Sequence, residues 1–129
     1  MNEFTAQVLS TFLFNRFGAD TPIHVDHPIA YTTDNNQTLM FSVKKCGLTI
    51  SVLTKIEEYY LEEALINALK CCHFIPSTPF SIQAGLLPGN TLSFSIHLEN
   101  ELTTEPNIDK SLQLLLLKMN ETIGMEQLT

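Results

Sequence analysis

Leu39-Met40-Phe41-Ser42-Val43-Lys44-Lys45-Cys46-Gly47-Leu48-Thr49-Ile50-Ser51-Val52-Leu53 is the stretch that decides the fold. Leu39, Phe41 and Val43 alternate with Met40, Ser42 and Lys44. After a turn at Lys45-Cys46-Gly47, Leu48, Ile50 and Val52 alternate with Thr49, Ser51 and Leu53. A period of two puts each apolar set on one face of a strand. A turn this short joins antiparallel neighbours, because a parallel pair needs a long crossover. Upstream, Ile29 to Thr33 reads as a short strand and Asp34-Asn35-Asn36 as a turn, which makes a three-stranded meander.

Outward from the meander the period changes. From Asn2 to Phe17, Phe4, Val8 and Phe12 recur every four residues and Leu9 and Leu13 widen the stripe, so this segment is a helix with Gly18 as its stop. Ala19 to Pro28 is a loop. Glu57-Glu58 open a second helix, in which Leu61, Ala64, Leu65, Ala68, Leu69 and Cys72 share a face and the alanines allow close approach of another element. Pro76 to Pro79 break the chain. Phe80, Ile82 and Ala84 alternate with polar neighbours, Leu86-Leu87-Pro88-Gly89-Asn90 turns, and Leu92, Phe94, Ile96 and Leu98 form the clearest strand. Pro106 suits the first turn of a third helix carrying Ile108, Leu112, Leu115, Leu116, Met119 and Ile123, with Gly124 as its stop. The expected fold is α+β, in the order α-β-β-β-α-β-β-α, with helices packed on an antiparallel sheet. Residues 1–129 are expected to form a single domain.

Composition narrows the function. The chain is 44% hydrophobic and 16% charged, apolar for a soluble domain, and part of that surplus is expected at an interface. Phe14, Phe17, Met40, Leu53, Tyr59, Ile66, Leu114 and Leu117 all fall off the main face of their element. Asp and Glu number 14 against 7 Lys and Arg, a net charge of −7, and Arg16 is the one arginine. Nucleic-acid binding and attachment to anionic membranes are both disfavoured, while a basic partner is favoured. Cys46, Cys71 and Cys72 imply no disulfide framework, no run of apolar residues is long enough to span a membrane, and Met1-Asn2-Glu3 opens no signal pattern. The glycosylation triplets Asn36-Gln37-Thr38 and Asn120-Glu121-Thr122 are then chance matches, and a cytoplasmic location is expected.

The residues that could carry chemistry read as structural. Cys71-Cys72-His73 tempts as a zinc site, but adjacent helical cysteines diverge by about 100° and the remaining cysteine is isolated. His24-Val25-Asp26-His27 reads as a solvated loop, and Glu57-Glu58 and Glu62-Glu63 as a helix flank. No Ser or Cys stands in a nucleophile-elbow or papain-like setting, and no Gly-rich phosphate loop is present. The expectation is a binding protein, not an enzyme, without a cofactor or metal.

Three passages carry a family resemblance: Gln37-Thr38-Leu39 through Gly47-Leu48-Thr49-Ile50, Glu63-Ala64-Leu65 through Ala68-Leu69, and Ser81-Ile82-Gln83-Ala84-Gly85-Leu86-Leu87 through Leu92-Ser93-Phe94-Ser95-Ile96. With the element order, small size and acidity, they resemble the class I chaperones of bacterial type III secretion, and within them the gatekeeper-chaperone (SycN-like) subgroup. The resemblance covers nearly the whole chain and is one of pattern, since the family has no sharp signature. It implies a dimeric chaperone that wraps an N-terminal segment of a secreted gatekeeper or effector protein, paired as a heterodimer with a second class I chaperone. The alternatives are a homodimeric effector chaperone and a regulatory module acting on a transcription component. Cargo is expected on Phe4, Val8, Phe12, Leu13 and Phe14 with Phe41 and Val43 beneath them, the densest aromatic cluster in the chain. The dimer seam is expected at Tyr60, Ala64, Ala68, Leu92, Phe94 and Ile96.

Overall fold

The computed structural model describes residues 2–20, 22–33, 36–73 and 80–127, and the side chains of these apart from residues 2, 3, 71–73 and 124–127. Helix α1 (Asn2–Phe17) leads into strands β1 (Ile29–Thr32), β2 (Gln37–Lys44) and β3 (Gly47–Lys55). A 3-10 turn at Glu58–Tyr60 precedes α2 (Leu61–His73), then come β4 (Ile82–Leu87), β5 (Thr91–Glu99) and α3 (Glu105–Gln127). This is the expected α+β order.

The five strands form one antiparallel sheet in the order β1-β2-β3-β5-β4. The meander and the late hairpin are both present, and β3 joins them by pairing with β5, Ile50 opposite Ile96 and Val52 opposite Phe94. Residues directly opposite in an antiparallel pair share a face. One face therefore carries Leu39, Phe41, Val43, Leu48, Ile50, Val52, Leu92, Phe94, Ile96 and Leu98, all buried. The helices pack on that face: Leu9, Phe12 and Leu13 from α1, Ala64 and Ala68 from α2, and Ile108, Leu112, Leu115 and Met119 from α3 complete the core. Burying one such Leu, Ile or Phe side chain stabilises the fold by about 1.5–3 kcal/mol. The opposite face carries Thr38, Met40, Thr49, Ser51, Ser93, Ser95 and His97, and among the described residues the helices' core contacts are all to the first face.

Local chemistry sets the boundaries. Gly18 ends α1 in the left-handed region at φ 67°, its N–H donating to the Phe14 carbonyl at 2.9 Å. Thr104 caps α3, its hydroxyl accepting from the Asn107 N–H at 3.3 Å. The second helix starts later than expected, because Glu58–Tyr60 form a 3-10 turn before it. The third helix runs through Gly124 to Gln127, past its expected stop. A helical glycine costs only about 1 kcal/mol relative to alanine, and the good helix formers that follow offset it. Of the turn expected at Asp34-Asn35-Asn36, Asn36 stands at φ 61° with its N–H donating to the Thr33 carbonyl at 3.1 Å, while Asp34, Asn35 and the break at Pro76 to Pro79 lie outside the described residues.

Candidate functional site

Helix α1 buries one side and offers the other. Thr5, Leu9, Phe12 and Leu13 face the sheet and α3, while Phe4 and Phe14 are each 60% exposed and Val8 is half-buried. Phe4, Gln7, Thr11 and Phe14 are spaced by 3, 4 and 3 residues, so they share one outward stripe with a phenylalanine at each end. At 1.5 Å per residue the stripe is about 15 Å long, the span of about five residues of extended chain.

Beside this stripe, α1 and α3 leave an open groove of about 460 Å³, lined by Phe12, Asn15, Arg16, Glu105, Pro106 and Asp109. Its floor is apolar and its walls are polar pairs that tie the two helices. Asn15 Nδ2 donates to Glu105 Oε1 at 3.2 Å, and Arg16 Nη1 donates to Asp109 Oδ1 at 2.6 Å. At the C-terminal end of α1, Phe17 stacks on Tyr31 of β1, ring centroids 5.1 Å apart, and meets Phe12 and Phe41 edge-on. Phe17 thus closes an aromatic cluster, whereas Phe14, one turn earlier, is 60% exposed.

The second exposed apolar region lies at the other end of the sheet. Helix α2 packs on α3 and β4 and turns Ile66 and Leu69 outward, Leu69 being 66% exposed. Leu86 and Leu87 of β4 are also exposed, as is Tyr59 in the turn before α2. Strand β4 is the last strand of the sheet, so one row of its backbone N–H and C=O groups has no strand neighbour among the described residues. Strand β1 has the same open edge at the far side.

These positions correct several expectations. Phe12, Leu13, Phe41 and Val43, expected to meet cargo, are core: Phe41 and Val43 lie under α1, and Phe12 and Leu13 are the residues that hold α1 on the sheet. Of that set, Phe4 and Phe14 are open and Val8 lies at their flank. Ala64, Ala68, Leu92, Phe94 and Ile96, expected at a dimer seam, are buried within this chain. The small alanines do allow close approach, but the element that approaches is α3 of the same chain. Tyr60 is half-buried. Leu69, expected on the inner stripe of α2, faces solvent, and Leu86 and Leu87 belong to a strand edge where a turn was expected.

The chemical candidates divide by place. Asp26 lies 3.6 Å from Lys44 Nζ, an exposed ion pair, and His24 and His27 are exposed on either side of it. Glu57, Glu58, Glu62 and Glu63 are exposed, as a helix flank should be. The side chains of Cys71, Cys72 and His73 lie outside the described residues. Among the described residues, no helix is long and apolar enough to cross a membrane.

No protein-family model matches the sequence, and no curated protein matches it. Among solved structures, the chain is similar to a chain of the heterodimeric complex ExoU-SpcU from the type III secretion system of Pseudomonas aeruginosa. The two are 12% identical and superpose with a TM-score of 0.67, over 94% of this chain and 99% of that one. The fold is therefore shared nearly end to end, with little sequence in common.

Proposed function

We propose that this protein is a cytoplasmic type III secretion chaperone that binds an N-terminal segment of a secreted protein and keeps it competent for export. The observation that carries the reading is the end-to-end likeness of fold to a chain of a type III secretion complex. The outward stripe of α1 supports it. A segment kept from folding exposes apolar side chains, and Phe4 and Phe14 with the neighbouring groove give such a segment aromatic anchors and polar walls. The protein works by binding and turns over no substrate. The acidity of the chain favours a basic cargo segment.

The finer parts of the reading rest on the sequence resemblance to gatekeeper chaperones. There the cargo is the gatekeeper, and the chaperone works as a heterodimer with a second class I chaperone. We assign the partner chaperone to the α2–β4 side, where Ile66, Leu69 and Leu86 and an open strand edge offer aliphatic surface and backbone pairing. The groove side of α1 is then left to cargo.

Co-expression tests both levels. The chain, produced with secreted proteins and chaperones encoded beside it, is expected to co-purify with one secreted protein and to gain soluble yield from one second chaperone. A monodisperse, folded monomer that retains no secreted protein rejects the chaperone reading. A tight homodimer that retains cargo but gains nothing from any second chaperone rejects the heterodimer alone.

A further inference from the structure

On the sheet face opposite the core, the β2–β3 turn and the end of β5 bring together three side chains. Thr49 of β3 and His97 of β5 are direct partners across the ladder. Cys46 reaches over them from the turn, Sγ 3.4 Å from His97 Nε2, while Thr49 Oγ1 is 3.0 Å from His97 Nδ1. Cys46 and His97 are exposed to solvent.

The turn that carries the thiol is fixed from two sides. Asn100 N–H donates to the Cys46 carbonyl at 3.0 Å, and Asn100 Nδ2 donates to the Lys45 carbonyl at 3.1 Å. Asn100 Oδ1 in turn accepts from the Thr5 hydroxyl of α1 at 2.7 Å. At Gly47, φ 156°, an added Cβ would fall on the carbonyl oxygen of Leu98, so the turn lies flat against β5 and only glycine fits there.

We propose that Cys46, His97 and Thr49 form a thiol-exchange site, with Cys46 as nucleophile, His97 as its base, Thr49 as the residue that positions the base, and a low-molecular-weight disulfide as the reactant. A nucleophile needs a base within hydrogen-bond reach and a third group to orient that base, and both contacts are present here. In the tautomer this site requires, the Thr49 hydroxyl accepts from Nδ1–H and the Nε2 lone pair faces the thiol. The Cys46 thiol proton passes to Nε2 and the sulfur attacks one sulfur of the disulfide. The new Cys46 S–S bond forms as the reagent's own S–S bond breaks, and the departing thiolate takes the proton from the imidazolium. Cys46 is oxidised, half of the disulfide is reduced to a free thiol, and the atoms balance. The adduct stands on the sheet face opposite the core. The inference rests on this geometry and is independent of the secretion reading.

Oxidised glutathione is the probe. Trypsin cuts after Lys45 and Lys55, so Cys46 is read in its own peptide, apart from Cys71 and Cys72. Time-resolved mass spectrometry of the whole folded chain is expected to show the mixed disulfide forming at Cys46. The rate should fall by about tenfold or more in His97→Gln. Thr49→Val should slow it several-fold and Thr49→Ser should restore it, a pattern that a merely structural threonine would not produce. Circular dichroism checks that each variant is folded. An unchanged rate in folded His97→Gln, or no adduct at Cys46 in the natural chain, overturns the proposal. If His97→Gln fails to fold, an unchanged rate in Thr49→Val overturns it.

Discussion

The α1 side and the α2–β4 side both expose apolar residues, but they differ in kind. On α1 the exposed residues are aromatic, set at the two ends of a helical stripe beside a groove with polar walls. On α2 and β4 they are aliphatic, next to a strand edge that has no strand neighbour among the described residues. Aromatic anchors beside a groove suit a short segment that must be gripped and later released. Aliphatic surface with an open edge suits another folded chain, because strand pairing and flat apolar contact both need a preformed partner. The proposed division of labour between cargo and partner protomer rests on that difference.

The largest effect is expected from a residue that belongs to neither surface. Phe41 is fully buried beneath α1, and Phe41→Ala should cost about 3–5 kcal/mol of stability, measured by urea unfolding. If Phe41→Ala unfolds at the natural midpoint but loses cargo, α1 is not seated on the sheet as described, and Phe41 returns to the cargo surface.

Next comes the aliphatic side. Leu69→Asp combined with Leu86→Asp places two carboxylates on exposed positions, so the fold should hold while association with a second protomer weakens by about 2 kcal/mol or more. Sedimentation velocity over a dilution series reads this directly. Unchanged association moves the seam elsewhere, with the open edge of β1 as the next place to look.

Phe14→Asp is the matching test on the aromatic side. Phe14 is 60% exposed, so its unfolding midpoint should barely move, while cargo affinity falls by about 2 kcal/mol, measured by titration calorimetry against the secreted segment. Each surface variant should leave the other surface's binding intact. Loss of both activities in either variant would merge the two regions into one.

The sequence carried the elements better than their faces. Alternation located β2, β3 and β5 and the first half of β4, and the spacing of Ile108, Leu112, Leu115 and Met119 located the buried side of α3, because regular burial writes its own period. It misread α1 because the spacing of Phe4, Val8 and Phe12 competes with that of Thr5, Leu9, Phe12 and Leu13. Apolarity favoured the first, and the docking angle on the sheet selected the second, burying a threonine and exposing a phenylalanine. Leu69 was misread for a similar reason: it keeps the period of α2, but it stands 66% exposed among the described residues. The groove walls had no local signal at all. Arg16 and Asp109 are 93 residues apart in the chain and meet only because α1 and α3 pack side by side.

That pair gives the smallest expected effect and the finest test of the comparison. The Arg16 and Asp109 side chains are 44% and 34% exposed, so their contact is solvent-screened and worth no more than about 1 kcal/mol to stability despite its 2.6 Å separation. Arg16→Ala should therefore shift the unfolding midpoint only slightly, and less still at high salt. The same change removes one wall of the groove and leaves Asp109 without this partner. If cargo runs along the groove with a basic segment, the freed carboxylate should leave affinity unchanged or raise it slightly, and Asp109→Ala should lower it. If cargo instead rests only on the outward stripe of Phe4 and Phe14, neither variant changes affinity, and the groove is a seam between helices, not part of the cargo surface.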